Sequence, residues 1–184
     1  VSALKTVAVS MLVSIALLVG ALPTAAQRGP QSFFVGDSIG AIMHEADLLA
    51  FDTIDSVPGR PMQEGPAIIK SFDLLPGDIL TVELGSNNLM DPLVRPAIDA
   101  ILAVVPDDLC MQWVVPQAFM VPTTGTVFLS HLTAAIASDG QCATLIRWDA
   151  LGNALLTYDT VHPNPLGAWY LAALIQPTTE PLWL

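Results

Sequence analysis

The sequence predicts a three-layer α/β/α sandwich built on a five-stranded parallel sheet in the order 2-1-3-4-5. Three observations lead there. From Gln31 onward, short β-rich runs alternate with stretches of helical periodicity, without repeats or low-complexity tracts. Such alternation makes βαβ units, and right-handed crossovers leave few arrangements for five strands. The 184 residues are 53% hydrophobic and 12% charged, which excludes disorder and coiled coil and leaves room for one domain with a real core.

Each element has its own signal. Ser32 to Val35 is the first strand, ending in Gly36-Asp37. Ile39 to Leu49 follows as a helix, because Ile39, Ile42, Met43, Ala46, Leu49 and Ala50 recur at three- and four-residue spacing. Thr53 to Val57 is the second strand and stops at Pro58-Gly59-Arg60. Met62 to Leu74 is a weaker helix with Gly65-Pro66 near its start, and Pro76-Gly77-Asp78 is a turn. Ile79 to Leu84 is the third strand. The next helix spans Asp91 to Val105, kinked or delayed by Pro96. Cys110 to Val115 is the fourth strand, Pro116 to Gly125 a loop, and Val127 to Ala137 a helix. Ala143 to Trp148 is the fifth strand, and Leu166 to Ile175 closes the chain after the loop Tyr158 to Pro165.

Residues 1–26 are set apart from this domain, which covers 27–184. Lys5, the apolar run Val7 to Leu22 and the small residues of Pro23-Thr24-Ala25-Ala26 have the layout of a secretory signal peptide. The alternative is an uncleaved anchor, although the run falls short of the ~20 apolar residues that span a bilayer. The expected location is therefore secreted or extracytoplasmic, with membrane contact only through an uncleaved leader. A formal charge of −11 with only six Lys+Arg excludes a nucleic-acid partner. Cys110 and Cys142 stand at the starts of two neighbouring strands, at the end of the sheet away from the strand-to-helix turns. They can close a loop of roughly 33 residues, worth about 3–4 kcal/mol in the chain-entropy model; the alternative is a pair of buried free thiols.

The chemistry gathers at the strands' carboxyl ends. Ser38 stands where the first strand turns into its helix, and the first helical N–H groups there point at any oxyanion forming beside it. A serine attacks an acyl carbon only when a base takes its proton and donors hold the oxyanion. Asp159-Thr160-Val161-His162 offers that base, because an Asp three residues before a His can accept from the imidazole N–H and fix its tautomer. Ser38 N–H, Gly59 N–H and the Asn87 side chain are the candidate oxyanion donors, each on a loop at the same end of the sheet.

The order and placement of these residues resemble the SGNH (GDSL-type) hydrolases over about Phe33 to Ile175. Gly-Asp-Ser-Ile around Ser38 is similar to the first block of that family, Gly59 to the second-block glycine, Asn87 to the third-block asparagine, and Asp159 with His162 to the fifth-block Asp-x-x-His. The resemblance implies a flavodoxin-like sandwich, Ser38 as nucleophile, His162 as base, Asp159 as its partner, and an oxyanion hole from Ser38, Gly59 and Asn87. One departure is visible: Asn88 stands where the third block usually carries Asp.

Other polar residues read as structure. His44, with Glu45 and Asp47, belongs to a solvated helix face, and His131 lies on a helix away from any second ligand. Trp113, Trp148 and Trp169 are expected in the core. Arg60 flanks the proposed pocket and is either a substrate contact or half of a structural ion pair. The expected protein is a secreted monomeric serine esterase for short acyl esters, including O-acetyl carbohydrate, with no metal or organic cofactor. An acyltransferase with the same triad and a non-catalytic glycan-binding module are the alternatives.

Overall fold

The computed structural model describes residues 28–87, 91–116, 122–151 and 155–177. The leader expected over residues 1–26 lies outside them. The sheet has five parallel strands in the order 2-1-3-4-5: β1 Ser32–Gly36, β2 Thr53–Ser56, β3 Ile79–Glu83, β4 Met111–Val114 and β5 Ala143–Ile146. Between and after them run α1 Ser38–Glu45, a 3₁₀ turn Met62–Glu64 leading into α2 Gly65–Ser71, α3 Asp91–Leu102, α4 Pro122–Asp139, α5 Trp148–Leu151 and α6 Pro165–Leu174.

The pleat divides the core in two. Phe33, Val35, Leu80, Val82, Met111 and Trp113 point to one face, where they meet Ile69, Ile98 and Phe128 of α2, α3 and α4. Phe34, Val114 and Ile146 point to the other and pack on Ile39, Met43 and Leu171 of α1 and α6. A strand covered on both faces can bury every side chain, and all five residues of β1 are buried.

Several boundaries differ from the sequence expectation, each for a local reason. The first helix stops at Glu45 rather than Leu49, because Asp47 takes a left-handed conformation (φ 55°) and Leu48 N–H reaches back to Met43 O at 3.0 Å. That is a helix-ending bond pattern in which Asp replaces the more usual Gly or Asn. Pro122 to Gly125 belong to α4, not to a loop. Their β-branched and glycine residues are poor helix formers, but Pro122 opens the helix with a preset φ. Pro96 sits inside α3 without dividing it. Trp148 is fully buried as expected, but on α5 after a shorter fifth strand. Trp169 departs from expectation altogether. Being on the solvent face of α6, it is 61% exposed.

A disulfide joins Cys110 and Cys142. Each precedes the first residue of its strand, and Met111 pairs with Ala143 across them. The bond therefore ties β4 to the edge strand β5 at the amino-terminal end of the sheet. Among the described residues no helix is long and apolar enough to cross a membrane.

Candidate active site

Ser38 is the first residue of α1, directly beyond β1. Asp37 caps that helix by accepting from Ile39 N–H. The turn fits only because Gly36 and Gly40 lack side chains. A Cβ at either would lie 2.6 or 2.5 Å from Cε1 of Phe34. Gly36 to Gly40 thus also meets the Gly-x-Ser-x-Gly spacing of a nucleophile elbow. Here it follows the first strand of a 2-1-3-4-5 sheet.

His162 comes to this serine from the other end of the chain. Its loop is closed by an antiparallel bridge between Thr157 and Pro163, by Tyr158 N–H to His162 O (2.9 Å) and by Asn164 N–H to Leu156 O (2.9 Å). Within that loop Thr160 is held at φ 72°, a left-handed conformation that a β-branched residue rarely adopts. His162 Nε2 lies 2.9 Å from Ser38 Oγ, and Nδ1 lies 2.7 Å from Asp159 Oδ2. An ionised carboxylate can only accept, so Nδ1 carries the hydrogen and Nε2 is left to accept from the serine. Hydrogen bonds from the imidazole, and after it from the His162 and Val161 N–H groups, hold the Asp159 carboxyl down at about 2. It stays ionised under any working condition.

The proposed oxyanion donors lie on three loops that are tied together. Gly59 (φ 77°) is the third residue of a turn closed by Arg60 N–H to Val57 O at 3.2 Å. The Asn87 Nδ2 donates to Arg60 O at 3.3 Å, joining the loop after β3 to the loop after β2. Val57 N–H in turn reaches Gly36 O at 3.3 Å, at the end of β1. Among the described residues no acceptor takes the Ser38 or Gly59 N–H. Asn88, the departure from the family block, lies outside the described residues.

Arg60 resolves toward the structural alternative. It is 6% exposed and donates to Gly36 O (2.9 Å), Asp55 O (2.6 Å) and the Asp55 carboxylate, so its charge is spent under the loops. His44, Glu45 and Asp47 are exposed, and His131 is half-buried on α4. Among the described residues no group of three or more His, Cys, Asp or Glu is placed to hold a metal ion. Sequence reasoning also missed Glu83. It is a buried carboxyl at the end of β3, and a charged residue closing an otherwise uncharged central strand was the available signal.

Comparison with solved structures gives this architecture a place. The catalytic domain of a Streptococcus pneumoniae peptidoglycan O-acetyltransferase, OatA, superposes with a TM-score of 0.64 at 17% identity, over 81% of this chain and 92% of that one. TesA matches with a TM-score of 0.55 at 16% identity, over 77% and 93% of the two chains. The fold is that of the SGNH hydrolases. The SGNH fold is shared as well by the esterase EstA of a Pseudoalteromonas species (TM-score 0.54, 15% identity, 77% and 92% covered). That structure is inhibited by monoethylphosphonate, and the OatA domain carries a methylsulfonyl adduct. No protein-family model matches the sequence, and no curated protein sequence does.

Proposed function

We propose that this chain is a secreted serine esterase acting on short acyl esters, O-acetyl groups on carbohydrate among them. One observation carries the reading: Ser38 Oγ, both ring nitrogens of His162 and the Asp159 carboxylate form one unbroken relay, at 2.9 and 2.7 Å. In the first half-reaction Nε2 takes the Ser38 proton as Oγ bonds to the acyl carbon. The imidazolium that results is held by Asp159. Ser38 N–H, Gly59 N–H and the Asn87 amide donate to the oxyanion, which collapses as His162 returns its proton to the departing alcohol. Water repeats the sequence on acyl-Ser38 and releases the acid. No step calls for a metal or an organic cofactor.

The Cys110–Cys142 disulfide supports an oxidising, extracytoplasmic setting. Tyr158, 72% exposed and adjoining Asp159, supplies an aromatic face at the rim of the loop on which a sugar ring could stack. Acyl transfer is the second reading, favoured by the similarity to the O-acetyltransferase domain. The two differ only in whether water or a sugar hydroxyl opens the acyl-enzyme.

A fluorophosphonate probe and p-nitrophenyl acetate test the assignment. The wild type is expected to be labelled on Ser38 and to turn over; Ser38→Ala should do neither. Turnover that survives Ser38→Ala overturns it. Adding an acetylatable oligosaccharide then measures how the acyl group divides between water and sugar.

A further inference from the structure

Two carboxyl groups that the relay does not use lie beneath it. Glu83, at the end of β3, is fully buried, and its Oε2 accepts from the N–H groups of Asp37 (3.0 Å) and Gly40 (2.9 Å). Those two residues bracket Ser38. Asp37 is equally buried, and its oxygens accept from Ile39 N–H and from Ser86 N–H, both at 3.2 Å. Ser86 is the neighbour of Asn87. A side chain from β3 thus holds the turn after β1, while a side chain from that turn holds the loop after β3. The clasp is reciprocal.

Burial raises both groups, and at Glu83 the Asp37 charge adds to it, so that Glu83 lies well above its ordinary range. The other oxygen of Glu83, Oε1, is buried and receives no donor among the described residues. Burial thus favours one charge on the pair over two, with the proton on Glu83.

We propose that Asp37 and Glu83 are positioning residues that fix the Ser38 N–H and the Asn87 amide at one separation, so that both reach the same oxyanion. The assignment rests on the esterase reading. Donors held in advance cost no rearrangement as charge develops, and their loss falls on the transition state rather than on substrate binding.

The two conservative variants should behave differently. Asp37→Asn has one acceptor oxygen for three donors, namely Ile39 N–H, Ser86 N–H and, at 3.5 Å, the Ser38 hydroxyl. Glu83→Gln keeps an oxygen for the Asp37 and Gly40 N–H groups and puts its amide nitrogen where Oε1 receives no donor. For p-nitrophenyl acetate, Asp37→Asn is expected to lower kcat by about 10- to 100-fold with KM within about twofold, while Glu83→Gln stays within about threefold of wild type. A role confined to stability would shift both melting points and leave kcat of the folded protein alone. A folded Asp37→Asn with wild-type kcat overturns the proposal, as does Glu83→Gln impaired to the same degree. Should Asp37→Asn fail to fold, infrared spectroscopy of wild type at neutral pH decides. A protonated-carboxyl band that vanishes in an active Glu83→Gln supports the clasp, and its absence from wild type overturns it. A wild type that neither turns over nor labels at Ser38 overturns the esterase reading and takes this one with it, whereas active wild type with unimpaired Asp37→Asn overturns the clasp alone.

Discussion

Asp159 grips His162 twice: Oδ2 takes the ring Nδ1–H at 2.7 Å, and Oδ1 takes the backbone N–H of the same residue at 2.7 Å. One carboxylate therefore sets both the tautomer of the imidazole and the turn that presents it. The side chain of Asp159 is nevertheless 47% exposed, so this grip adds little to the stability of the fold.

Asp159→Asn should accordingly separate rate from stability. Hydrolysis is expected to fall by roughly 10²–10⁴, while the unfolding free energy changes by less than about 1 kcal/mol. The sign of its pH dependence follows from a folded-state carboxyl at about 2, below its ordinary 3.8. Its small stabilising share is present above 3.8 and disappears as pH falls through about 2. Urea titrations of the two proteins should converge over that acid window and run parallel above it.

Glu83 predicts the opposite slope. Its carboxyl is raised well above 4.5 by burial and then by the Asp37 charge, so the folded state holds a proton that the unfolded chain releases. Wild type should lose stability relative to Glu83→Gln as pH rises from about 4.5 toward the folded-state value, then level off. Urea midpoints of both proteins from pH 4 to 8 measure it; a constant difference across that range would mean that Glu83 is ionised in the native protein.

Gly167 holds the histidine loop at its seat on α6. Its N–H donates to Asn164 Oδ1 at 2.9 Å, and a Cβ there would stand 1.9 Å from the Leu156 carbonyl oxygen. That oxygen is backbone and also accepts from Asn164 N–H, so it has nowhere to retreat. Gly167→Ala is expected to cost about 1–3 kcal/mol and to push the loop, and His162 with it, away from Ser38. Loss of phosphonate labelling in protein that remains folded by circular dichroism would show the displacement.

Arg60 gives a prediction about binding. Because its guanidinium is committed to Gly36 O and Asp55, Arg60→Met should lower stability by about 2 kcal/mol and leave KM for a neutral and an acidic ester in the same ratio. A change in that ratio would return the residue to the pocket.

The order of strands and helices was legible because each strand is a short β-rich run and each crossover a periodic helix. The meeting of Ser38, Asp159 and His162 was legible for a different reason: the parallel topology brings the loops that carry them to one end of the sheet. What escaped depends on packing. No periodicity announces that Asp47 will turn left-handed and cut α1 short, since Asp tolerates that conformation but does not demand it. Trp169 reads as core because it is aromatic, yet on α6 it shares the outer face with Leu166 and Tyr170. The partnership of Asp37 with Glu83 joins positions 46 residues apart, and only the pairing of β1 with β3 brings them side by side.

The covalent bond between Cys110 and Cys142 reaches further than its position suggests. Among the described residues β5 is an edge strand, paired with β4 alone, and the chain that leaves its far end goes on to carry His162. Material produced in a reducing cytosol would leave that strand unfastened at its root. Low specific activity in such a preparation would report on thiol chemistry rather than on Ser38, Asp159 or His162, and recovery upon air oxidation would distinguish the two.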